Sequence, residues 1–131
     1  MSPRVTNPRE IDAVLKLPAP ARYEHFIKRV VDSGEAWGLW NDGWAMGSTD
    51  VGQPTFPLWP AKEYAELSAK EHWANFSPVP ISLEDLVDEL LPKLEEDGVQ
   101  PSIFRVPTGD ATMPLIHQVV KDLRTEMGRY E

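Results

Sequence analysis

The chain has 131 residues, 41% of them apolar, and contains no cysteine. This length fits one domain with a core of its own, and the lack of cysteine excludes disulfides and thiolate metal ligands. The formal net charge of −8 argues against nucleic-acid binding and against binding to an anionic membrane, because both require a positively charged surface.

The first predicted element is a short helix that begins after Asn7. Asn7 is a typical N-cap, Pro8 suits the first helical position, and Glu10 can reach back to the cap. Residues 1–6 show no apolar run that would mark a signal peptide, and the chain nowhere approaches the roughly 18 apolar residues of a membrane span. We therefore expect a single cytoplasmic domain over residues 1–131, in which residues 1–6 form a loose tail.

A second helix is predicted over residues 20–33. Gly34 suits its C-terminus, since glycine adopts a positive φ without a steric penalty from a Cβ atom. Apolar side chains recur in this segment at the spacing that marks one buried helical face. They are Tyr23, Phe26, Ile27, Val30 and Val31.

Four of the five tryptophans lie within residues 37–60, and we expect this stretch to form the centre of the sheet. Residues 36–40 and 43–47 predict two strands, because both are rich in apolar residues and a tight-turn sequence, Asn-Asp-Gly at 41–43, separates them. Together they would form a Trp-rich hairpin.

Two registers are open for this hairpin. A two-residue turn at 42–43 would pair Trp40 with Ala45, whereas a three-residue loop with a left-handed Gly43 would pair Trp40 with Trp44. Since a shift of one residue exchanges the two faces of a strand, the sequence does not decide which of these tryptophans are buried.

Residues 56–60 predict another short strand. Pro57 favours an edge strand or the start of a strand, because proline cannot donate to a strand ladder. A helix over residues 61–70 and a short extended segment over residues 79–81 follow.

The next helix begins after Ser82, a typical N-cap, and ends at Gly98; Pro92 inside it predicts a kink or a break. Its local net charge is −6, since seven carboxylates stand against Lys93. The carboxylates are Glu84, Asp85, Asp88, Glu89, Glu95, Glu96 and Asp97. Such a face is commonly just solvated and keeps a protein soluble, and the alternative is a docking surface for a basic partner.

Residues 99–106 predict a strand, residues 108–110 a turn, and residues 114–128 a last helix. The strands cluster in the middle of the chain rather than alternating with helices, so we predict an α+β domain. Its small, mostly antiparallel sheet would carry the central Trp-rich hairpin and pack against about four to five helices.

Several of these segments also occur together in a known family. They are WGLWNDGWA, the corner PLWP before AKEYA, and ISLEDLVDELLPKLEEDG before a strand, preceded by a helix with Arg22, Tyr23 and Phe26. Over roughly residues 8–125 the chain resembles the bacterial family catalogued as domain of unknown function 2750. The resemblance implies a small, single-domain, cytoplasmic bacterial protein, and it supplies no catalytic residue.

No pattern of residues indicates catalysis, a cofactor or a metal site. His25, His72 and His117 lack the helical partner and intervening glutamate of a zinc motif. The serines lie in none of the recognised nucleophile contexts, and the glycines form no phosphate-binding loop. We therefore predict no catalytic residue, no cofactor and no metal, and the sequence favours a non-catalytic protein over an enzyme.

Two features are the best candidates for a functional surface. One is the turn at 41–43 with its flanking tryptophans, called here the aromatic turn, and the other is the helix after Ser82, called the acidic helix. Exposed tryptophans are enriched where proteins bind one another. We predict a contact patch of Trp40, Asn41, Asp42 and Trp44, in a regulatory or neutralising module with a protein partner of basic character. The oligomeric state is not indicated.

The alternative is a protein that binds a small molecule, or an enzyme without a recognisable motif. Its pocket would be walled by aromatic rings and would take polar groups from the second helix. The predicted residues of this alternative pocket are Arg22, His25, Trp37, Trp59 and Tyr64.

Overall fold

A computed structural model describes residues 7–107 and 111–129 of the protein. These residues form an α+β fold with five helices and two small sheets, as the sequence predicts. The predicted tail at 1–6 and the predicted turn at 108–110 lie outside the described residues. The elements, in chain order, are α1 (Pro8–Leu15), α2 (Ala19–Ser33), β1 (Glu35–Trp40), β2 (Gly47–Ser48), β3 (Pro54–Leu58), α3 (Lys62–His72), β4 (Ser77–Ser82), the acidic helix (83–97), β5 (Gln100–Ile103) and the C-terminal helix (Ile116–Gly128).

The ends of the first two helices confirm the predictions from local sequence. Asn7 Oδ1 accepts a hydrogen bond of 2.9 Å from the backbone N–H of Glu10, which satisfies one of the unpaired donors at the start of α1. Helix α2 ends at Gly34, whose φ of 78° places it in the left-handed region. Both signals are local, so the sequence alone is enough to predict them.

The two sheets lie side by side and share one bridge. The first pairs β1 with β4 in antiparallel register, and the second has the order β2-β3-β5. Trp37 of β1 and Trp59 exchange backbone hydrogen bonds of 2.8 and 2.9 Å, which joins the sheets. Since adjacent peptide groups of a strand point to opposite sides, Ala36 and Gly38 direct theirs toward β4.

The Trp-rich turn closes on one bridge, between Trp40 and Trp44. This is the pairing of the three-residue loop, but the left-handed residue is Asp42, with a φ of 55°, and not Gly43. Aspartate adopts this conformation more readily than most residues. The predicted returning strand at 43–47 is wrong. After this bridge, within the described residues of that segment, only the N–H of Ala45 donates to β1, to Leu39 O at 2.8 Å, and farther along the same edge Trp37 pairs with Trp59 instead.

The prediction that Pro57 marks an edge strand is also wrong. β3 is the central strand of its sheet, antiparallel to β2 and parallel to β5. The N–H of Phe104 donates to Leu58 O on the β5 side, so Pro57 faces the other side. There β2 pairs only with Pro54 and Thr55. Among the strands that the structure describes, none pairs with Pro57 on that side, which explains how the centre of the sheet tolerates it.

β5 is shorter than the predicted strand at 99–106 because of Phe104. This residue has a φ of 56°, a conformation that is strained for a bulky side chain and interrupts an extended strand. β5 therefore ends at Ile103, and the phenyl ring of Phe104 is fully buried in the core.

The acidic helix begins at Ser82, whose Oγ accepts from the N–H of Asp85 at 3.1 Å. Instead of a simple kink at Pro92, it contains a wider π-helical segment, Leu86–Leu90, between the α-helical segments Leu83–Asp85 and Leu91–Asp97. Proline lacks an N–H and its ring collides with the carbonyl four residues earlier. The wider turn relieves that collision and lets the helix continue.

Candidate functional site

The predicted contact patch lies at the outer end of β1. Trp40 is 44% exposed, and Asn41 and Asp42 are exposed beside it. The indole of Trp44 is half-buried and meets Trp40 edge to face, with ring centroids 5.0 Å apart. The turn thus presents the exposed ring of Trp40, which packs against the half-buried ring of Trp44.

The indole of Trp44 packs against the backbone of Gly38 in β1. A Cβ atom at Gly38 would lie 2.9 Å from Cζ3 of Trp44 and 3.6 Å from Cδ1 of Ile81. Only a glycine therefore lets the indole lie this close to the β1 backbone. The ring also contacts Phe56, at a centroid distance of 5.7 Å. Trp44 is thus part of the packing as well as part of the surface.

The half-buried face of Trp44 borders an open groove of about 750 Å³. One wall is strand β4 and the other is the acidic helix that follows it. The lining residues are Trp44, Val79, Pro80, Ile81, Ser82, Asp85, Asp88, Glu89, Leu90, Pro92, Lys93 and Glu96. The aromatic turn and the acidic helix, two separate features of the sequence, are therefore brought to one site.

The helix wall of the groove carries uncompensated negative charge. Its four carboxylates form no ion pair within the described residues, and its single cation, Lys93, is engaged by Asp97 with its Nζ 3.4 Å from Oδ1. Unpaired carboxylates along a groove favour a cationic occupant. The four are Asp85, Asp88, Glu89 and Glu96.

The strand wall adds hydrogen-bond acceptors but few donors. Ile81 and Val79 pair with Ala36 and Gly38 of β1, whose N–H and C=O groups point toward β4. The alternate residues, Pro78 and Pro80, therefore face away from β1 along the outer edge of the strand. Proline offers a carbonyl but no N–H, so this part of the edge consists of acceptors.

Together these surfaces suit positively charged hydrogen-bond donors. Carboxylates and free carbonyls accept from ammonium and guanidinium groups, and an indole face attracts either cation through its quadrupole. Among the described residues no three acidic or histidine side chains come together as a metal site. The carboxylates are thus spread along the groove rather than gathered at one point.

The residues of the predicted alternative pocket lie in and around the core. Trp59 and Tyr64 are fully buried and Arg22 is nearly so, whereas His25 and Trp37 are half-buried. The ring of Phe104 lies 4.8 Å from that of Tyr64 and 6.1 Å from that of His25, so it packs among the residues of this predicted pocket. The sequence did not reveal this, because a regular strand at 99–106 gives no reason for Phe104 to turn inward.

The other two histidines have separate surroundings. His72 is exposed, and its Nε2 lies 2.8 Å from Nη2 of Arg105, whose guanidinium is stacked over Trp73 at 5.7 Å. The carbonyl of Arg105 accepts from Trp59 Nε1 at 2.8 Å. This cluster fastens the chain after β5 to the core. His117 is exposed on the C-terminal helix.

The sequence prediction missed the strand wall of the groove. Residues 79–81 were expected to be extended, but nothing pointed to them as part of a site. The signal available was the alternation Pro-Val-Pro, which removes N–H donors from one edge of a strand. That Trp44 joins this edge and the acidic helix at one groove depends on the long-range pairing between β1 and β4 and is not visible locally.

Comparison with known proteins gives a family but no function. A family model described as "Protein of unknown function (DUF2750)" matches residues 23–123, a range that includes the turn, β4 and the acidic helix. A search of curated proteins found no match. Within the described residues, every helix is too short or too polar to cross a membrane.

Proposed function

The chain belongs to the DUF2750 family, and we propose that it is a non-catalytic protein-interaction module that binds a basic partner in the groove between Trp44 and the acidic helix. Binding there would regulate or neutralise the partner. The observation that carries the proposal is the groove itself, which combines an aromatic end, an acceptor-rich strand edge and four unpaired carboxylates.

The surface around the groove supports a protein partner rather than a small ligand. Trp40 and Met46, both more than 40% exposed, extend the apolar area of the turn beyond the groove. Exposed large apolar side chains rimmed by polar groups are typical of protein-binding surfaces. The net charge of −8 also favours a basic partner over nucleic acid, and we place this activity in the bacterial cytoplasm.

Site-specific photo-crosslinking tests the proposal. A photoreactive amino acid in place of Pro80, which is exposed in the groove, should crosslink one or a few basic proteins in the cells that naturally make this protein. The same amino acid in place of the exposed Lys121 on the C-terminal helix is the matched control. It should not crosslink these proteins.

The purified partner then allows a quantitative test with a groove variant, Asp88→Asn with Glu89→Gln. We expect this variant to bind about tenfold more weakly, and the difference to shrink as salt is added, because screening weakens exposed charge pairs. A control variant, Glu84→Gln with Glu95→Gln, loses the same charge from the same helix outside the groove lining. Equal loss in both variants, or crosslinking at position 121 alone, would exclude the groove.

A further inference from the structure

We propose that the occupant of the groove is an extended, arginine-bearing segment of the partner, bound through its side chains and not by adding a strand to β4. This inference rests on the proposed function and specifies its partner chemistry. It follows from the combination of an indole, a line of carboxylates and a strand edge with few donors.

The edge of β4 explains why strand addition is disfavoured. An added strand needs alternating N–H donors and C=O acceptors along the edge that it joins. On the outward side of β4, Pro78 and Pro80 supply carbonyls only. A peptide backbone placed there would leave its own carbonyls without partners. Side chains that donate several hydrogen bonds, and need to accept none, fit this edge better.

The lining of the groove favours arginine over lysine. A guanidinium is planar and weakly hydrated, so it can stack on the indole of Trp44 and still bind a carboxylate through two parallel hydrogen bonds. An ammonium group is a compact, strongly hydrated charge that gains less from both contacts. The carboxylates are spread over almost three turns of helix, from Asp85 to Glu96, which matches an extended segment with more than one cation.

Synthetic peptides of known sequence can test this directly. We would measure tryptophan fluorescence and calorimetric binding at low salt for a peptide with four Arg-Ser repeats and for its Lys-Ser counterpart. We expect the arginine peptide to bind about tenfold more tightly, because only arginine combines stacking with bidentate hydrogen bonding. A Glu-Ser peptide should not bind.

Two further comparisons locate the contact and its mode. The groove variant, Asp88→Asn with Glu89→Gln, should weaken binding of the arginine peptide about tenfold, and the control variant, Glu84→Gln with Glu95→Gln, less than about twofold. An arginine peptide with N-methylated backbone amides at alternate residues should bind as tightly as the unmodified one. A large loss on methylation would show strand addition and overturn the inference.

The outcomes separate this inference from the proposed function. If the lysine and arginine peptides bind equally and only the groove variant weakens them, the arginine preference is wrong and the basic-partner groove stands. If neither peptide binds, or if the groove and control variants behave alike, the proposed groove is wrong as well.

Discussion

The contact between Trp44 and Gly38 determines the shape of one end of the groove. The indole lies against a residue without a side chain, and in this position it lines the groove. Trp44 also touches Phe56, so its replacement by alanine would disturb the core as well as the surface. Trp40, which is more exposed, is the better position for removing an aromatic contact without changing the fold.

Replacement of Gly38 by alanine should destabilise the protein by about 1–3 kcal/mol, the usual cost of inserting a methyl group into a packed site. The new Cβ would meet the Trp44 ring at 2.9 Å and push it outward, and the change in the indole surroundings should shift the fluorescence. Urea denaturation measures the loss.

Gly43→Ala in the adjacent turn is the matched control. A Cβ at Gly43 has no atom within 4 Å, and its φ is not in the left-handed region. We expect little change in the free energy of unfolding for this variant. Equal stability of the Gly38 and Gly43 variants would show that Trp44 does not pack on β1.

At the scale of elements, a polar contact between two side chains joins helix α2 to the C-terminal helix. The hydroxyl of Tyr23 donates to Asp122 Oδ2 at 2.6 Å, and Asp122 also accepts from Gln118 Nε2 at 2.8 Å. Burial, the hydrogen bond to Asp122 and the charge of that carboxylate, in this order, raise the pKa of Tyr23 well above its usual value of 10.0. The protonated phenol is thus strongly preferred in the folded state.

Tyr23→Phe should lower the free energy of unfolding by about 1.5–3 kcal/mol at neutral pH, because it removes a hydrogen bond to a charged group. Since folding raises the pKa of Tyr23, its stabilising contribution is complete below pH 10 and is lost as the pH rises above it. In denaturation experiments, the difference in free energy of unfolding between wild type and variant should therefore become smaller above pH 10.

Gln118→Ala removes the other hydrogen bond to Asp122 without removing a group that titrates. We expect a smaller loss of stability, and one that stays constant across the same pH range. A Tyr23→Phe difference that remained constant above pH 10 would contradict the assignment of this contact.

At the scale of the whole molecule, the sequence predicts what local physics determines. The caps at Asn7 and Ser82, the left-handed Gly34 and the α+β class follow from short-range patterns and are confirmed. The pairing of β1 with β4 joins residues about forty positions apart, so no local pattern specifies it. For that reason the sequence could predict the aromatic patch and the acidic face but not the groove between them.

Two wrong predictions, the edge position of Pro57 and the strand at 99–106, have the same cause. Pro57 lies in a central strand because β2 is too short to reach it, and Phe104 turns into the core with a positive φ. In both cases tertiary packing overrides the ordinary preference of the residue. The predicted ligand pocket did not include Phe104 for this reason, and both the pocket and the contact patch stay predictions.

A chemical-shift titration of the isotope-labelled protein with the arginine peptide tests whether the groove is the binding surface. We expect the largest changes at the indole N–H of Trp44, at the amides of Val79 and Ile81, and at the amides of Asp85, Asp88 and Glu89 on the acidic helix. Resonances of α1 and of the C-terminal helix should stay in place. Changes centred on those two helices, or spread evenly over the surface, would contradict a basic partner in this groove.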